Sequence, residues 1–250
     1  MPEAFNGQLA PELLRYLRSA QRVAVLTGAG VSAESGVPTF RDAMTGLWSH
    51  YRPEDLASPE AFAQNPALVW DWYAWRRGLT EAAAPNPGHY ALAALEQRFP
   101  TFTLLTQNVD SLHQRAGSQN VVELHGNISL ARCSNPACPA SRTPAPIEAE
   151  RSCTICSAPL RPNVVWFGEA LPKDALSMAI QAAETCDILF SIGTSSMVYP
   201  AAQLPDLALS RGAVVVEINP DQTPLTAEAT YALHAPSGVV LPALLAALQV

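Results

Sequence analysis

Val23-Ala24-Val25-Leu26-Thr27-Gly28-Ala29-Gly30-Val31-Ser32-Ala33 is an apolar run that breaks into a turn of small residues. Through Gly28, Gly30 and Ala33 it satisfies the pattern G-x-G-x-x-G/A. The run reads as a buried strand. The small residues after it let the backbone approach a pyrophosphate at the start of a helix. A Gly-Ala-Gly turn also serves as an ordinary strand-to-helix connection, so the loop alone leaves function open. A dehydrogenase would add an acidic residue at the end of a second strand, about 20 residues on. Glu54 and Asp55 fall instead in an aromatic, helical-looking stretch, which argues against hydride transfer.

Further strand-like runs lie at 102–105, 121–124, 164–167, 188–192 and 214–218, with helical patterns at 87–97, 111–116, 173–185 and 200–210. The alternation predicts an α/β fold, a doubly wound parallel sheet of the Rossmann type covered on both faces. Two segments leave that rhythm. Residues 47–80 are rich in Trp, Tyr, Phe and Pro and look helical, while 131–160 are rich in Cys, Pro and Ser. The expected division of the single unit 1–250 is a Rossmann-like part at 1–45, 86–130 and 161–250. A smaller domain takes 46–85, which is helical, and 131–160, which binds zinc.

A chain of 250 residues, nearly half of them hydrophobic, can bury a core of this size. The net charge of −7 gives no general attraction to nucleic acid or to an anionic membrane. No apolar run reaches the ~20 residues of a membrane span. Met1 to Leu9 lacks the basic start and apolar stretch of a secretory signal. These features predict a cytoplasmic protein, expected to act as a monomer.

Cys133 and Cys138 form C-x4-C, and fourteen residues later Cys153 and Cys156 form C-x2-C. Thiolates at this spacing can close a tetrahedral zinc site, each pair on its own tight turn. Four sulfurs leave no open position for a substrate, so the zinc is predicted to be structural. Metal-type spacing also fits a reducing compartment. Cys186 reads as a buried small residue beside a strand.

Beyond Ala33 the loop continues Glu34-Ser35-Gly36-Val37-Pro38-Thr39-Phe40-Arg41-Asp42. After it come Thr106-Gln107-Asn108-Val109-Asp110, then Glu123-Leu124-His125-Gly126, then the two cysteine pairs. Val165-Trp166-Phe167-Gly168-Glu169, Gly193-Thr194-Ser195-Ser196 and Glu217-Ile218-Asn219-Pro220 complete the series. In this order, from about Val23 to Leu244, the blocks resemble the sirtuin family of NAD-dependent protein lysine deacylases. The resemblance implies NAD lying across the carboxyl edge of the sheet and consumed as co-substrate. An acylated lysine of a protein or peptide would enter the same cleft from the opposite side. Nicotinamide leaves, the acyl oxygen attacks the ribose, and lysine and O-acyl-ADP-ribose are released.

Such a reaction needs a base active near neutral pH, which suits histidine. His125, just after the strand 121–124, takes that role by resemblance, with Asn108 and Asp110 as its catalytic partners. His50, His89, His113 and His234 have no comparable context and are expected to be structural. The resemblance assigns the NAD contacts to Gly28, Ala29, Gly30, Ser32, Ala33, Pro38 and Thr39, and to Phe40 and Arg41 in a loop covering NAD. It adds Gln107, Asn108, Val109 and Asp110, then Gly193, Thr194 and Ser195, then Asn219, Pro220, Asp221 and Ser237. Asn108 or Asp110 could equally cap a helix. Val165, Trp166, Phe167, Gly168 and Glu169 would bind the substrate backbone by strand addition.

Tyr73 and Arg76 are spaced i, i+3 and so share one helix face. A phenol and a guanidinium pointing together can hold a carboxylate, the guanidinium in two-pronged fashion. The Tyr-x-x-Arg resembles the sirtuin branch that removes succinyl, malonyl and glutaryl groups, and Ala57 matches that branch's small pocket residue. Arg77 leaves open which arginine turns inward. The expected activity is therefore desuccinylation and demalonylation, with deacetylation alongside. An ADP-ribosyltransferase built on the same site is the alternative. A non-catalytic module binding acyl-lysine or ADP-ribose is a third reading, disfavoured by the intact His125, Asn108 and Asp110.

Overall fold

A computed structural model of the chain describes residues 5, 7–39 and 48–248. A helix, α1 (Pro11–Ser19), leads into β1 (Arg22–Thr27), and α2 (Gly30–Ala33) follows at once. Next come α3 (Pro59–Gln64), α4 (Pro66–Ala82), α5 (Pro87–Glu96), β2 (Thr101–Thr106), α6 (Leu112–Arg115), β3 (Val121–Glu123), β4 (Gly126–Cys133), β5 (Ala145–Pro146) and β6 (Leu160–Val164). The chain ends with α7 (Lys173–Thr185), β7 (Ile188–Ile192), α8 (Leu204–Ser210), β8 (Val214–Ile218), β9 (Tyr231–Leu233) and α9 (Ser237–Ala247).

The six-stranded sheet runs β3-β2-β1-β7-β8-β9, with every pairing parallel. Alternate residues of each strand go to opposite faces. Val23 and Val25 meet Leu13 and Leu17 of α1, Leu92 and Leu95 of α5, and Val240 and Leu244 of α9. Ala24 and Leu26 meet Ala179 and Ala183 of α7 and Leu204 and Ala208 of α8. Both faces are covered, which is the doubly wound architecture the alternation predicts. The chain builds β2 and β3 on one side of β1, then β7, β8 and β9 on the other. The switch between β1 and β7 opens a crevice at their carboxyl ends.

A second, antiparallel sheet runs β5-β4-β6. Helices α3 and α4 pack on it, burying Phe62, Val69, Trp70, Trp72 and Tyr73 against Ile128, Ala131, Val164 and Trp166. Side-chain caps set both helix starts: Ser58 accepts from Ala61 N–H, and Asn65 accepts from Leu68 N–H.

The run 164–167 is not a strand of the parallel sheet. The strand is Leu160–Val164, and it belongs to the smaller sheet, as does all of β4. Residues 126–130 and 161–164 therefore pair in the small sheet rather than in the Rossmann-like part. The cause is local. Gly168 turns the chain with φ +82°. The Glu169 carboxylate accepts from Trp166 N–H, and Glu169 N–H donates to the Trp166 carbonyl, so the backbone closes on itself. The strands β4 and β9 were also not foreseen. Among the described residues no helix is long and apolar enough to cross a membrane.

Candidate active site

The loops that leave the carboxyl ends of β1, β2, β3, β7 and β8 meet along one edge. Backbone packing explains the glycines there. Gly28 N–H donates to the Ile192 carbonyl at 3.0 Å and Gly30 N–H to the Gly193 carbonyl at 2.8 Å. A Cβ on Gly28 or on Gly30 would lie 2.8 Å from Gly193 atoms. Gly193 itself has φ +58°, and its Cβ would stand 2.4 Å from Val31 N. The β1 and β7 loops thus touch backbone to backbone, with no space for a side chain between them. This is a second reason for the glycines beside close approach to a phosphate. It also engages N–H groups of Gly28, Gly30, Val31 and Ser32 within the protein. A free helix N-terminus at α2 is therefore not the loop's main offering.

What the edge presents is a set of polar side chains. Gln107 Nε2 donates to Thr194 Oγ1 at 3.2 Å, and Asn219 Nδ2 donates to the Thr194 carbonyl at 2.9 Å. Ser195, Pro220 and Asp221 are exposed beside them, and Ala29, Pro38, Thr39 and Val109 are half-buried. Ser32 Oγ donates to Asp110 Oδ2 at 2.7 Å and accepts from Asn108 Nδ2 at 3.1 Å. The other Asp110 oxygen accepts from Leu112 N–H at 2.9 Å. Asp110 therefore anchors the start of α6 and faces the site at once. Ser237 is buried, with its hydroxyl donating to Glu34. Phe40 and Arg41 lie outside the described residues.

His125 sits just beyond β3, partly buried. Its Nδ1 lies 3.0 Å from the Gln107 carbonyl oxygen. A carbonyl only accepts, so Nδ1 carries the proton and the neutral ring keeps its lone pair on Nε2. Burial pulls the pKa below the ordinary histidine value, against the upward pull of the Gln107 carbonyl. The ring is thus a neutral base at physiological pH, fixed in one tautomer.

Sequence reasoning missed the layer beneath. His89 Nε2 lies 3.4 Å from Ser32 Oγ, and its Nδ1 accepts from Asn86 N–H. His113 is buried, packs on the His89 ring at 4.8 Å, and bonds Thr27 Oγ1 at 3.0 Å. Burial, then the neighbouring His89, depresses His113 to about 3. The one local signal was Asn86-Pro87-Gly88-His89, which reads as a helix cap; the contact with Ser32 comes from a segment far away in sequence.

The four cysteines come together as their spacing predicts. All four sulfurs lie within 4.8 Å of one another, with Cys133–Cys156 at 3.5 Å and Cys138–Cys153 at 3.8 Å. A tetrahedron with Zn–S bonds of about 2.3 Å has sulfurs about 3.8 Å apart, so the cluster fits a structural zinc. Backbone N–H groups aim at the sulfurs: Asn135 at Cys133, and Ile155 and Cys156 at Cys153. Such bonds stabilise thiolates held on tight turns.

On α4, Tyr73 and Arg76 both face inward. Tyr73 is buried, and its hydroxyl accepts from Trp166 Nε1 at 3.0 Å. Burial raises its pKa to about 12, against the opposing field of Arg76. Arg76 is partly buried, with its guanidinium 5.0 Å from the Trp72 ring centre. Burial lowers its pKa, while Tyr73 and Asp110 pull it up, so it lies in the field of Asp110. Arg77 turns to Glu81 at 3.5 Å. Of the two arginines, Arg76 is the one beside Tyr73. Ala57 is buried in the same cluster, and its carbonyl accepts from Phe167 N–H.

Within 165–169, three backbone N–H groups are engaged inside the protein. Val165 N–H donates to the His125 carbonyl, Trp166 N–H to Glu169, and Phe167 N–H to Ala57. The Glu169 carboxylate is held by Arg161 at 2.5 and 2.9 Å. Burial is the largest influence and works to raise its pKa, but Arg161, the Trp166 N–H and Arg132 together outweigh it and the net shift is downward.

Comparison with known proteins agrees with this geometry. The family described as "Sir2 family" matches residues 28–200. An "NAD-dependent protein deacylase" of Methylococcus capsulatus is 54% identical, covering 97% of this chain and 98% of its own. "NAD-dependent protein deacylase 1" of Archaeoglobus fulgidus is 48% identical, over 92% and 94%. Among solved structures, a "Sir2 homolog-NAD complex" superposes with a TM-score of 0.89 at 43% identity, covering 99% of this chain and 96% of that one. A "Sir2-p53 peptide-NAD+" structure gives 0.80 at 31% identity, over 94% and 96%.

Proposed function

This chain belongs to the Sir2 family, and from that premise we propose that it removes acyl groups from protein lysines at the expense of NAD, taking succinyl and malonyl groups as well as acetyl. The names of its relatives support lysine deacylation, and NAD is the family's co-substrate. The solved peptide complex of a relative supports an acylated peptide as the second substrate.

NAD, when bound, supplies a ribose whose bond to nicotinamide can break. Every other part falls to the chain. Gln107, Thr194 and Asn219 line the edge where the dinucleotide lies. Asn108, Ser32 and Asp110 hold the nicotinamide side and set a carboxylate near developing positive charge. His125, with its proton on Nδ1, offers Nε2 to a ribose hydroxyl. Val165 N–H ties the smaller sheet to the His125 carbonyl, so the acyl pocket and the base share one support.

The observation that carries the acidic-acyl reading is the pairing on α4. Tyr73 and Arg76 are the phenol and guanidinium that turn inward from one helix face, in a pocket kept roomy by Ala57. A phenol and a guanidinium pointing together suit a substrate that brings a carboxylate. We place the enzyme in the cytoplasm as a monomer.

The test uses one peptide carrying either succinyl-lysine or acetyl-lysine, with NAD, followed by product mass. Wild type should remove succinyl faster. Arg76→Met should lower the succinyl-to-acetyl ratio of kcat/KM about 100-fold, the worth of a charge-assisted pair. Equal rates on both peptides, unchanged by Arg76→Met, would remove the acidic-acyl reading and leave a general deacetylase.

A further inference from the structure

Ser111 links Asp110 to α6, and its backbone stands at φ 61°, ψ 15°. That left-handed conformation is disfavoured for any residue with a Cβ, and glycine alone adopts it freely. We infer that Asn127 is a positioning residue for catalysis: its side-chain amide clamps Ser111 in the left-handed turn that presents the Asp110 carboxylate to the site. The inference rests on the role proposed for Asp110 and names what holds that carboxylate in place.

Asp110 depends on the turn. One carboxylate oxygen accepts from Leu112 N–H at 2.9 Å, two residues on, while the other accepts from Ser32 Oγ at 2.7 Å. Ser111 lies between the two ends of the first bond. Returning it to φ below zero would swing Leu112 N–H away and free the carboxylate to rotate off Ser32. A strained residue of this kind persists only where its surroundings hold it.

The start of β4 supplies the hold, on both sides of Asp110. Ile128 N–H donates to the Val109 carbonyl at 2.9 Å, and Asn127 Nδ2 donates to Ser111 Oγ at 2.7 Å. The Asn127 side chain is buried and its orientation is fixed. Its Oδ1 accepts from Ser129 N–H at 2.9 Å, and a backbone N–H only donates, so Nδ2 must face the other way. There it also donates to Glu123 Oε1 at 2.7 Å, an oxygen that accepts from Gln114 Nε2 of α6 at 2.8 Å. Every donor and acceptor of the Asn127 amide is thus engaged, which makes the network rigid. Glu123 and Asn127 stand two residues either side of His125, so the base and the carboxylate are referenced to one scaffold.

The experiment measures kcat, the KM for NAD and the melting temperature, with the faster of the succinyl- and acetyl-lysine peptides. The proteins are wild type, Asn127→Ala, Ser111→Gly, the double variant, Ser111→Ala and Asp110→Ala. Asn127→Ala should lower kcat about tenfold and leave the KM for NAD within about twofold of wild type. Ser111→Gly should keep the wild-type kcat, because glycine needs no clamp. The double variant should therefore regain most of the kcat that Asn127→Ala loses. Ser111→Ala removes the acceptor but keeps Asn127 and its bond to Glu123, and its kcat should fall like that of Asn127→Ala. It serves where Asn127→Ala folds poorly. A role confined to folding would lower the melting temperature and spare kcat, and Ser111→Gly would restore neither. Wild-type kcat in Asn127→Ala and Ser111→Ala, or a double variant no more active than Asn127→Ala, would overturn the inference. If Asp110→Ala abolishes turnover while those variants retain it, this inference alone fails. If Asp110→Ala turns over like wild type, the role of Asp110 and this inference fail together.

Discussion

On the large sheet, every residue of Val23–Thr27 and of Ile188–Ile192 is buried, while from Cys133 to Leu160 the only buried residues are Cys133, Cys138 and Cys153. The first region holds itself together with apolar side chains on two faces, at roughly 25 cal/mol per Å² of apolar surface. The second has little such surface to bury, and Ile155, its large aliphatic residue near the sulfurs, is 65% exposed. One chain therefore uses two means of cohesion, a core and a metal cluster. The edge that carries Asp110 and His125 stands on the first, while β6 and the turn after it, which reach Tyr73 through Trp166, stand beside the second.

Removing the metal should break that comparison most visibly. Chelation, or Cys153→Ser, should open residues 134–158 to proteolysis while the parallel sheet stays protected, because structural zinc contributes on the order of 10 kcal/mol to small sites. Deacylation should fail too, since Val165 and Phe167 would no longer be held on His125 and Ala57. Both regions melting together would mean that the two are one cooperative unit. An unchanged digestion pattern would remove the zinc reading.

His125→Ala sharpens the same contrast from the other side. It should lower kcat about 10³-fold, the scale of a lost general base, with melting temperature and cysteine-region protection unchanged. Because burial sets the His125 pKa below its ordinary value, activity should hold as pH falls through 6.5 and decline only in more acid solution. A decline beginning above pH 7 would contradict a buried, neutral base.

The smallest effect lies within the large body. His113 titrates near 3 when folded and near the ordinary 6.5 when unfolded. Between those values the unfolded chain binds the extra proton, so stability is present above 6.5 and is lost as pH falls towards 3. The slope from this one group is at most about 1.4 kcal/mol per pH unit. Denaturant midpoints from pH 7 to pH 4 should fall less steeply in His113→Asn than in wild type. Equal slopes would place the acid sensitivity elsewhere.

The two regions also differed in how far the sequence disclosed them. Buried parallel strands are continuous apolar runs, so β1, β2, β7 and β8 could be read directly, and α7 ran from Lys173 to Thr185 as its periodicity predicts. The cysteine spacing was equally plain. The smaller sheet was not. Gly126–Cys133 alternates Asn, Ile, Ser, Leu, Ala and Arg, too polar to stand out, and its pairing with β6 shifts register between Asn127 and Ala131. Val164-Val165-Trp166-Phe167 misled for the opposite reason: it has a strand's composition, but Gly168 and Glu169 turn it. His125 was legible because it follows a strand; His89 was not, because its contact with Ser32 is 57 positions away.

Gly28, Gly30 and Gly193 have a consequence for anyone who redesigns this protein. They come from two loops far apart in the chain, yet a methyl group on any of them would displace backbone belonging to the other loop. In a combinatorial library they behave as one site with one permitted letter. Diversity in the dinucleotide edge has to be sought at Ser195, Pro220 and Asp221, whose side chains face outward and whose replacement leaves the seam between β1 and β7 closed.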